Sequence, residues 1–290
     1  KILKGKNSQA IRAKLKERTA KSFELKNKGK KVAQEMLQTV KLPHPIYIDS
    51  ANGGTMTDVD GNTYIDTTMG FGPIILGHNH PVVKNAIQEQ LDKGWLFGLP
   101  GEVQFELGEL ITDASPCADE VIWANTGTEA TMYAMRAARS FTGKDKIGVF
   151  DGAYHGAHDY AMLYATYEEG TNHKPNGMYA SPGISNVIKN DTLMLLPYRN
   201  DAAYELIREN KDELAAIMLE GSQNSNPRLN NKDFIQGLRD VCTECGVLMI
   251  MDEVVTGFRV DYGGIQGYYD IKADLATYGK IAGGGFPIGA

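Results

Sequence analysis

Residues 247–259 read VLMIMDEVVTGFR and contain the clearest strand signal of the sequence. Five consecutive apolar residues run directly into Asp252 and Glu253, which is typical of a buried strand that ends in carboxylates. A buried charge is costly unless it is paired or hydrogen-bonded, so a cationic or donor group is expected at this strand end. The pattern therefore predicts a functional site there.

Apolar runs of this kind alternate with amphipathic stretches through most of the chain. The predicted strands are 121–125, 147–150, 193–197, 215–220 and 247–253. The predicted helices are 82–94, 103–114, 129–141, 201–213 and 233–245. This alternation indicates an α/β fold with a mostly parallel central sheet flanked by helices. Ligands of such sheets bind beyond the carboxyl ends of the strands, so the residues after each run are the candidates for chemistry.

Two further parts precede the sheet. The stretch 46–68, IYIDSANGGTMTDVDGNTYIDTT, has Asn-Gly and Asp-Gly turns and predicts a small β element. Residues 1–41 hold 13 Lys/Arg against three acids, which predicts a basic helical arm or linker, or a docking element for an acidic partner. We therefore expect an arm over 1–45, a small-domain segment over 46–100 and a large domain over 101–290.

Composition argues against several classes of protein. No apolar run approaches the roughly 18 residues that a membrane crossing needs. Nothing near the start has the apolar core of a signal peptide, so a cytoplasmic protein is predicted. The sparse cysteines, Cys117, Cys242 and Cys245, argue against a disulfide framework. The histidines lack a metal-ligand spacing, so no metal is expected. The basic arm has no aromatic residue except Phe23 among its charges, so no nucleic-acid partner is expected.

Polar turns follow two of the predicted strands. Thr126, Gly127 and Thr128 precede a helix, where free backbone N–H groups suit a phosphate, although the same turn is an ordinary helix start. Tyr154 and His155 lie between glycines after the next strand. The aromatic ring there either stacks on a flat cofactor or merely covers the sheet edge.

Lys280 is an unusual lysine, because it follows an apolar stretch and precedes three glycines. An amine among apolar and backbone groups has a lowered pKa, as Schiff-base chemistry requires, although an ordinary loop lysine is the alternative. A carboxylate such as Asp252 that faces a pyridine nitrogen keeps the ring protonated. A nucleotide-binding interpretation of Asp252 requires a G-x-x-x-x-G-K-[ST] motif, which the sequence lacks.

Together these segments resemble the class III, fold-type I aminotransferases that use pyridoxal 5′-phosphate (PLP), and more closely the group of glutamate-1-semialdehyde aminomutase. The resemblance covers 57–290 and lies in DVDGNTYID, GPIILGHNHP, NTGTEATMYAMRAARSFTGKDKI, DGAYHG, MDEVVTGFRV and LATYGKIAGGGFPIGA, in the family's order. It implies the PLP-dependent transferase fold type I, PLP as the cofactor, and a C-terminal small domain missing from this chain.

The resemblance also implies a role for individual residues. Lys280 is implied to form the internal aldimine and Asp252 to pair with the pyridine nitrogen, which makes both catalytic. Tyr154 is implied to stack on the ring with His155 beside it. The full cofactor-binding set that it implies is Thr126, Gly127, Thr128, Tyr154, His155, Glu220, Asp252 and Lys280.

The activity implied is that of an aminotransferase, which moves an amino group from a donor to an aldehyde, keto or carrier-bound β-keto acyl acceptor. The chain departs from the aminomutases after its Tyr-His-Gly turn, and Glu220 is not followed by the family's proline. The segments SPGIS and EGSQNSNPRLNNKDFIQGLR look like aminotransferase domains of polyketide and peptide-synthetase assembly lines. A homodimer with shared active sites is implied, and a carrier protein or fused domains are further expected partners. A 2,1-aminomutase and a non-catalytic PLP-fold module remain the alternatives.

Overall fold

The computed structural model describes residues 46–179, 181 and 183–290. The basic helical arm predicted for 1–45 lies outside the described residues. The chain divides into two compact units, and the described part of the first comprises 46–71 and 75–93. The second comprises 72–74 and the described residues from 94 to 290.

The described part of the first unit is a three-stranded antiparallel sheet with one helix. Its elements are β1 (Ile48–Asn52), β2 (Thr55–Asp58), β3 (Thr63–Ile65) and α1 (Pro81–Lys93). The buried Asp58 carboxylate accepts from the backbone N–H groups of Asp60 and Asn62 at 3.0 and 2.9 Å, and so holds the turn between β2 and β3. The small β element predicted from the Asn-Gly and Asp-Gly turns is confirmed.

The second unit contains the parallel sheet. Within its described residues the helices are α2 (Glu102–Ala114), α3 (Gly127–Thr142), α4 (Ala202–Glu209), α5 (Lys232–Cys245) and α6 (Gly264–Tyr269). Its strands are β4 (Lys146–Phe150), β5 (Leu163–Gly170), β6 (Pro175–Tyr179), β7 (Leu193–Leu196), β8 (Leu214–Leu219), β9 (Leu248–Asp252) and β10 (Leu275–Thr277). None of the helices in the described residues combines the length and the apolarity that a bilayer crossing requires.

Five strands form one sheet in the order β10-β9-β8-β4-β7, and every pairing in it is parallel. The central strand β8 is buried along its whole length because helices cover both faces. Its Ile217 and Leu219 pack with α4 and α5 on one face, whereas Ala216 and Met218 pack with α3 on the other. The α/β fold with a mostly parallel central sheet is therefore confirmed.

The prediction of a strand over 121–125 is wrong. Among these residues only Ala124 pairs, in an isolated antiparallel bridge to Gly289. The Ala124 N–H donates to the Gly289 carbonyl oxygen and the Gly289 N–H donates to the Ala124 carbonyl oxygen, each with an N-to-O distance of 2.7 Å. Ile122 is exposed, so the run does not enter the core. An apolar run predicts burial, but it contains no information on which distant segment pairs with its backbone. The bridge nevertheless places the start of α3 beside the segment that follows Lys280.

We expect Leu214→Ala to lower the free energy of unfolding by about 2–5 kcal/mol, because the side chain is 0% exposed at the start of β8 and its loss leaves a cavity. Leu229→Ala is the matched control, since that leucine is 46% exposed and should cost no more than about 0.5 kcal/mol. Urea unfolding of both variants measures the difference. Equal losses in the two variants would contradict the arrangement of the core.

Candidate active site

The candidate site lies at the carboxyl end of the parallel sheet. The turn after β4, the end of β9 and the segment after β10 meet there with the first turn of α3, as expected for an open α/β sheet. They enclose a cavity of about 200 Å³. Its lining residues are Gly127, Thr128, Thr131, Tyr154, His155, Gly156, Asp252, Val254, Val255 and Lys280.

The Asp252 carboxylate is the best-held polar group of the cavity. Its Oδ2 accepts from His155 Nδ1 at 2.7 Å, and the histidine is the donor because an ionised carboxylate only accepts. Its Oδ1 accepts from the backbone N–H of Val254 at 3.0 Å and from the Thr277 hydroxyl at 3.2 Å. Asp252 is buried, so these donors compensate for its lost hydration. Oδ2 has one donor among the described residues and can accept a second.

Lys280 contributes an amine with no fixed partner. Among the described residues its Nζ has neither a hydrogen bond nor an ion pair. Burial is the main cause that lowers the pKa of this amine, and the positive charge of Arg259 lowers it further against the opposing effect of Asp252 and Glu220. A lowered pKa leaves more of the amine neutral, which is the nucleophilic form.

The backbone holds Lys280 in a conformation that is uncommon for a residue with a side chain. Its φ is 46°, in the left-handed region, where it begins a 3-10 turn over Lys280–Gly283. Such conformations persist only where the surrounding structure enforces them, and they are frequent at functional sites.

The first turn of α3 forms the anion-binding end of the cavity. The N–H groups of Gly127 and Thr128 lie at the helix start, where no intrahelical acceptor exists and the helix dipole is positive. Thr128 Oγ1 accepts from Ala157 N at 3.3 Å and keeps its own hydrogen for a ligand.

Thr126 caps this helix and lies outside the cavity lining. Its hydroxyl accepts from Glu129 N at 3.1 Å, while the Glu129 carboxylate accepts from Asn125 N at 2.7 Å. Together these contacts satisfy donors at the helix start and fix the direction in which the neighbouring N–H groups point.

Glu220 also lies behind the cavity. Its Oε2 accepts from the backbone N–H of Tyr154 at 3.1 Å, and its Oε1 accepts from the Asn224 side chain at 2.9 Å. Burial is the main cause that raises the pKa of this carboxyl group. The structure thus separates the predicted set, because six residues line the cavity whereas Thr126 and Glu220 hold those residues from behind.

Sequence reasoning missed several residues of the site. The sequence signal for Thr131 is the weakest, since only its place one helical turn after Gly127 and Thr128 indicates that the three residues share one face of the helix. Thr277 had a better signal, because it ends the strand beside Asp252 and stands opposite that residue in the parallel register. Val254 lies two residues after Asp252 and lines the cavity.

The residues of the cavity fit PLP. A lone amine faces no competing partner, a buried carboxylate keeps room for one more donor, and a helix start suits a phosphate. His155 Nε2 is a buried atom without a hydrogen-bond partner among the described residues. The described residues contain no group of three or more His, Cys, Asp or Glu that could hold a metal ion.

Comparison with known proteins agrees with this fit. Residues 37–290 match the model of the family described as aminotransferase class-III. The chain is 46% identical over 248 residues to a glutamate-1-semialdehyde 2,1-aminomutase of Archaeoglobus fulgidus, across 85% of this chain and 58% of that protein. It is 45% identical to a protein of the same name, numbered 2, from Lachnoclostridium phytofermentans, across 84% of this chain and 57% of that protein. The chain therefore spans less than two thirds of these relatives' length.

Solved structures give the same result. An omega-transaminase from Sphaerobacter thermophilus superposes with a TM-score of 0.82 at 34% identity, covering 87% of this chain and 58% of its own. A transaminase described with PLP bound superposes with a TM-score of 0.76 at 28% identity, covering 91% of this chain and 64% of its own. These similarities establish the PLP-dependent fold type I and support PLP as the cofactor.

We expect Gly156→Ala to weaken PLP binding by about tenfold or more, because a Cβ there would lie 2.8 Å from Thr128 Cα and push the two cavity loops apart. Gly183→Ala is the matched control, since Gly183 has the same φ of 103° but none of the described residues comes within 4 Å of an added Cβ. The control should cost about 1–3 kcal/mol of backbone strain and leave binding unchanged. Fluorescence titration with PLP measures the affinity of each variant. Equal affinities in the two variants would contradict the close packing of the loops.

Proposed function

Since the chain belongs to the class-III aminotransferase family, we propose that the protein uses PLP to move an amino group from an amino donor to an aldehyde, keto or carrier-bound β-keto acyl acceptor. One observation supports this above all: Lys280 and Asp252 line the same cavity. The Lys280 amine has no hydrogen-bond partner in the part of the chain that the structure describes, and the Asp252 carboxylate accepts three hydrogen bonds there. These are the two groups that chemistry on a pyridine-based electron sink requires.

Each cavity residue then has a binding role. The N–H groups of Gly127 and Thr128, with the Thr128 hydroxyl, would hold the phosphate. Tyr154, whose backbone N–H donates to Glu220, would pack its ring against the cofactor ring. Asp252 Oδ2, which accepts from His155, would also accept from the ring nitrogen. When bound, PLP supplies an electron sink that stabilises the charge left on the substrate carbon after a proton is removed.

The chain's own residues move the protons. Lys280 Nζ would anchor the cofactor, and its free amine would accept a proton from the substrate carbon and return it as the acid/base group. Its lowered pKa keeps a larger fraction of the amine neutral and ready to accept that proton. Val254 and Val255 line the same cavity and exclude water from the reacting atoms.

A 2,1-aminomutase is the second candidate function, and a specific observation favours it. The curated relatives reported above are named glutamate-1-semialdehyde 2,1-aminomutase, at 45% to 46% identity. In that reaction a single substrate both gives and receives the amine, so no separate donor is needed. The same Lys280 and Asp252 serve both reactions, and substrate trials therefore decide between them. A non-catalytic module gains no support, because both residues are retained in one cavity.

We expect the purified full-length protein to show a visible absorption band with PLP that changes on addition of an amino donor. Lys280→Ala should abolish this band, because no other cavity amine can anchor the cofactor. Lys272→Ala is the control, since that lysine is exposed and lies outside the cavity. Asp252→Asn should keep the band and lower the rate by about 10²-fold, as loss of one preorganised electrostatic contact does. A wild-type protein without the band would contradict the proposed function.

The two candidate reactions are separated by their need for a donor. Incubation with glutamate 1-semialdehyde alone should yield no isomer if the protein is a transaminase. A keto product should then form only when a separate amino donor is supplied. Isomer formed without a donor would replace the first candidate by the second.

We further propose that the full-length protein is a homodimer. Apolar side chains around α2 are strongly exposed in the second unit, with Leu96 at 88% and Phe105 at 66%, and Trp95 and Leu99 are also exposed. Exposed apolar clusters of this kind are typical of protein–protein interfaces. A second copy of the chain is the partner that the family resemblance implies.

We expect Phe105→Glu to weaken the dimer by about tenfold or more, because a charge would be buried at the interface. Phe141→Glu is the matched control, since Phe141 is 82% exposed at the end of a different helix, α3. Sedimentation of the full-length protein at several concentrations measures the change. A dimer that is equally stable in both variants would assign this face to another part of the same chain.

A carrier-bound acceptor, fused domains and a cytoplasmic location remain predictions. The three cysteines are free, which supports a reducing compartment. The boundaries predicted at residues 45 and 100, and the function of the basic arm, also stay predictions.

A further inference from the structure

We infer that Thr131 and His158 are positioning residues that orient His155, and through it the Asp252 carboxylate, toward the ring nitrogen of the cofactor. The inference rests on the proposed function, because it concerns how the partner of that nitrogen is held. His158 is a largely buried titratable group that no step of the proposed reaction uses. Its single side-chain contact of hydrogen-bond length within the described residues is to Thr131.

Thr131 links α3 to the turn after β4. Its buried hydroxyl lies 2.6 Å from the carbonyl oxygen of His155 and 3.0 Å from that of Thr128. A threonine in a helix commonly donates to a carbonyl of the preceding turn, which would make this an ordinary local contact. The contact to His155 is the shorter one and spans 24 residues, so the hydroxyl hydrogen goes to the turn.

The direction of that bond determines which ring nitrogen of His158 carries the hydrogen. Thr131 has a single hydrogen, and because His155 receives it, the hydroxyl can only accept from His158 Nε2, which lies 3.1 Å away. Burial, with smaller contributions from the charges of His155 and Arg139, lowers the pKa of His158 to about 4. The ring is therefore neutral near pH 7, and its one hydrogen lies on Nε2. Its Nδ1 is buried and has no partner among the described residues.

The chain of contacts ends at the cofactor site. Fixing the His155 carbonyl fixes the peptide plane that begins at the Cα from which the imidazole projects. The His155 ring then has one side-chain hydrogen bond within the described residues, from Nδ1 to Asp252 Oδ2 at 2.7 Å. The orientation of this ring consequently depends on its backbone. Thr131 and His158 set that backbone and so set the angle at which Oδ2 is presented.

Two pairs of variants of the full-length protein test the inference. Thr131→Val removes the hydroxyl while keeping the size of the side chain, whereas Thr131→Ser restores the hydroxyl. His158→Leu removes the donor, whereas His158→Gln retains an N–H at about the reach of Nε2. A purely space-filling role would make each conservative variant as disruptive as its partner, so the pairs distinguish hydrogen bonding from packing.

The first measurement uses the apoprotein with ¹⁵N-labelled histidine and follows the His155 Nδ1–H signal, assigned by its loss in His155→Gln. We expect Thr131→Val and His158→Leu to move this signal upfield or broaden it, because the bond to Asp252 loosens. Thr131→Ser and His158→Gln should keep the wild-type position. An unchanged signal in the Val and Leu variants would overturn the inference, and so would equal changes in all four variants.

The second measurement is PLP affinity together with the ¹⁵N shift of the bound ring nitrogen. The Val and Leu variants should bind PLP about fivefold more weakly, the factor that one lost hydrogen bond typically gives. Their ring nitrogen should shift toward the neutral pyridine value, and Ser and Gln should rescue both readouts. A loss of thermal stability without any change in either readout would assign Thr131 and His158 to the fold alone. If the wild type bound no PLP, the proposed function would fail, while the apoprotein signals would still decide the contact chain.

Discussion

The hydrogen bonds to the Asp252 carboxylate are the constraint on which the rest of the site depends. A charged group at the end of a buried strand is stable only if donors are brought to it. Those donors come from His155 in the turn after β4, Val254 beyond β9 and Thr277 at the end of β10. One carboxylate thus ties together three segments that are distant in sequence, and these segments carry every lining residue of the cavity except those of α3.

The adjacent Glu253 shows how one strand end supports two separate regions. Successive side chains of a strand point to opposite faces, so Glu253 turns away from the cavity. Its carboxylate accepts from the N–H groups of Ile265 and Gln266, at the start of α6, at 3.0 Å each, and from the Thr256 hydroxyl. Burial raises the pKa of this carboxyl group. The cavity side and the scaffold side of the strand end are therefore fixed by neighbouring residues.

The sequence predicted those parts of the fold that local pattern determines. Four of the five predicted strands, together with Asp252 and Lys280, are found where apolar runs and turn residues indicated them. The strand predicted over 121–125 is absent. Only Ala124 pairs there, in an isolated bridge to Gly289, and the local sequence does not reveal a partner so far along the chain. Thr131 was missed for the same reason: its significance comes from a carbonyl 24 residues away, and helical spacing alone does not reveal that partner.

The left-handed backbone at Lys280 implies that the stability of the folded chain and the presence of an amine place opposite demands on this position. At a φ of 46° a glycine would be relaxed, whereas any side chain is strained by about 1–3 kcal/mol. The residue that best suits the backbone is thus one that abolishes the reactive amine. Stability alone would favour glycine at this position, so the presence of a lysine supports the role proposed for its amine. Stabilising the molecule by design must begin elsewhere in the chain.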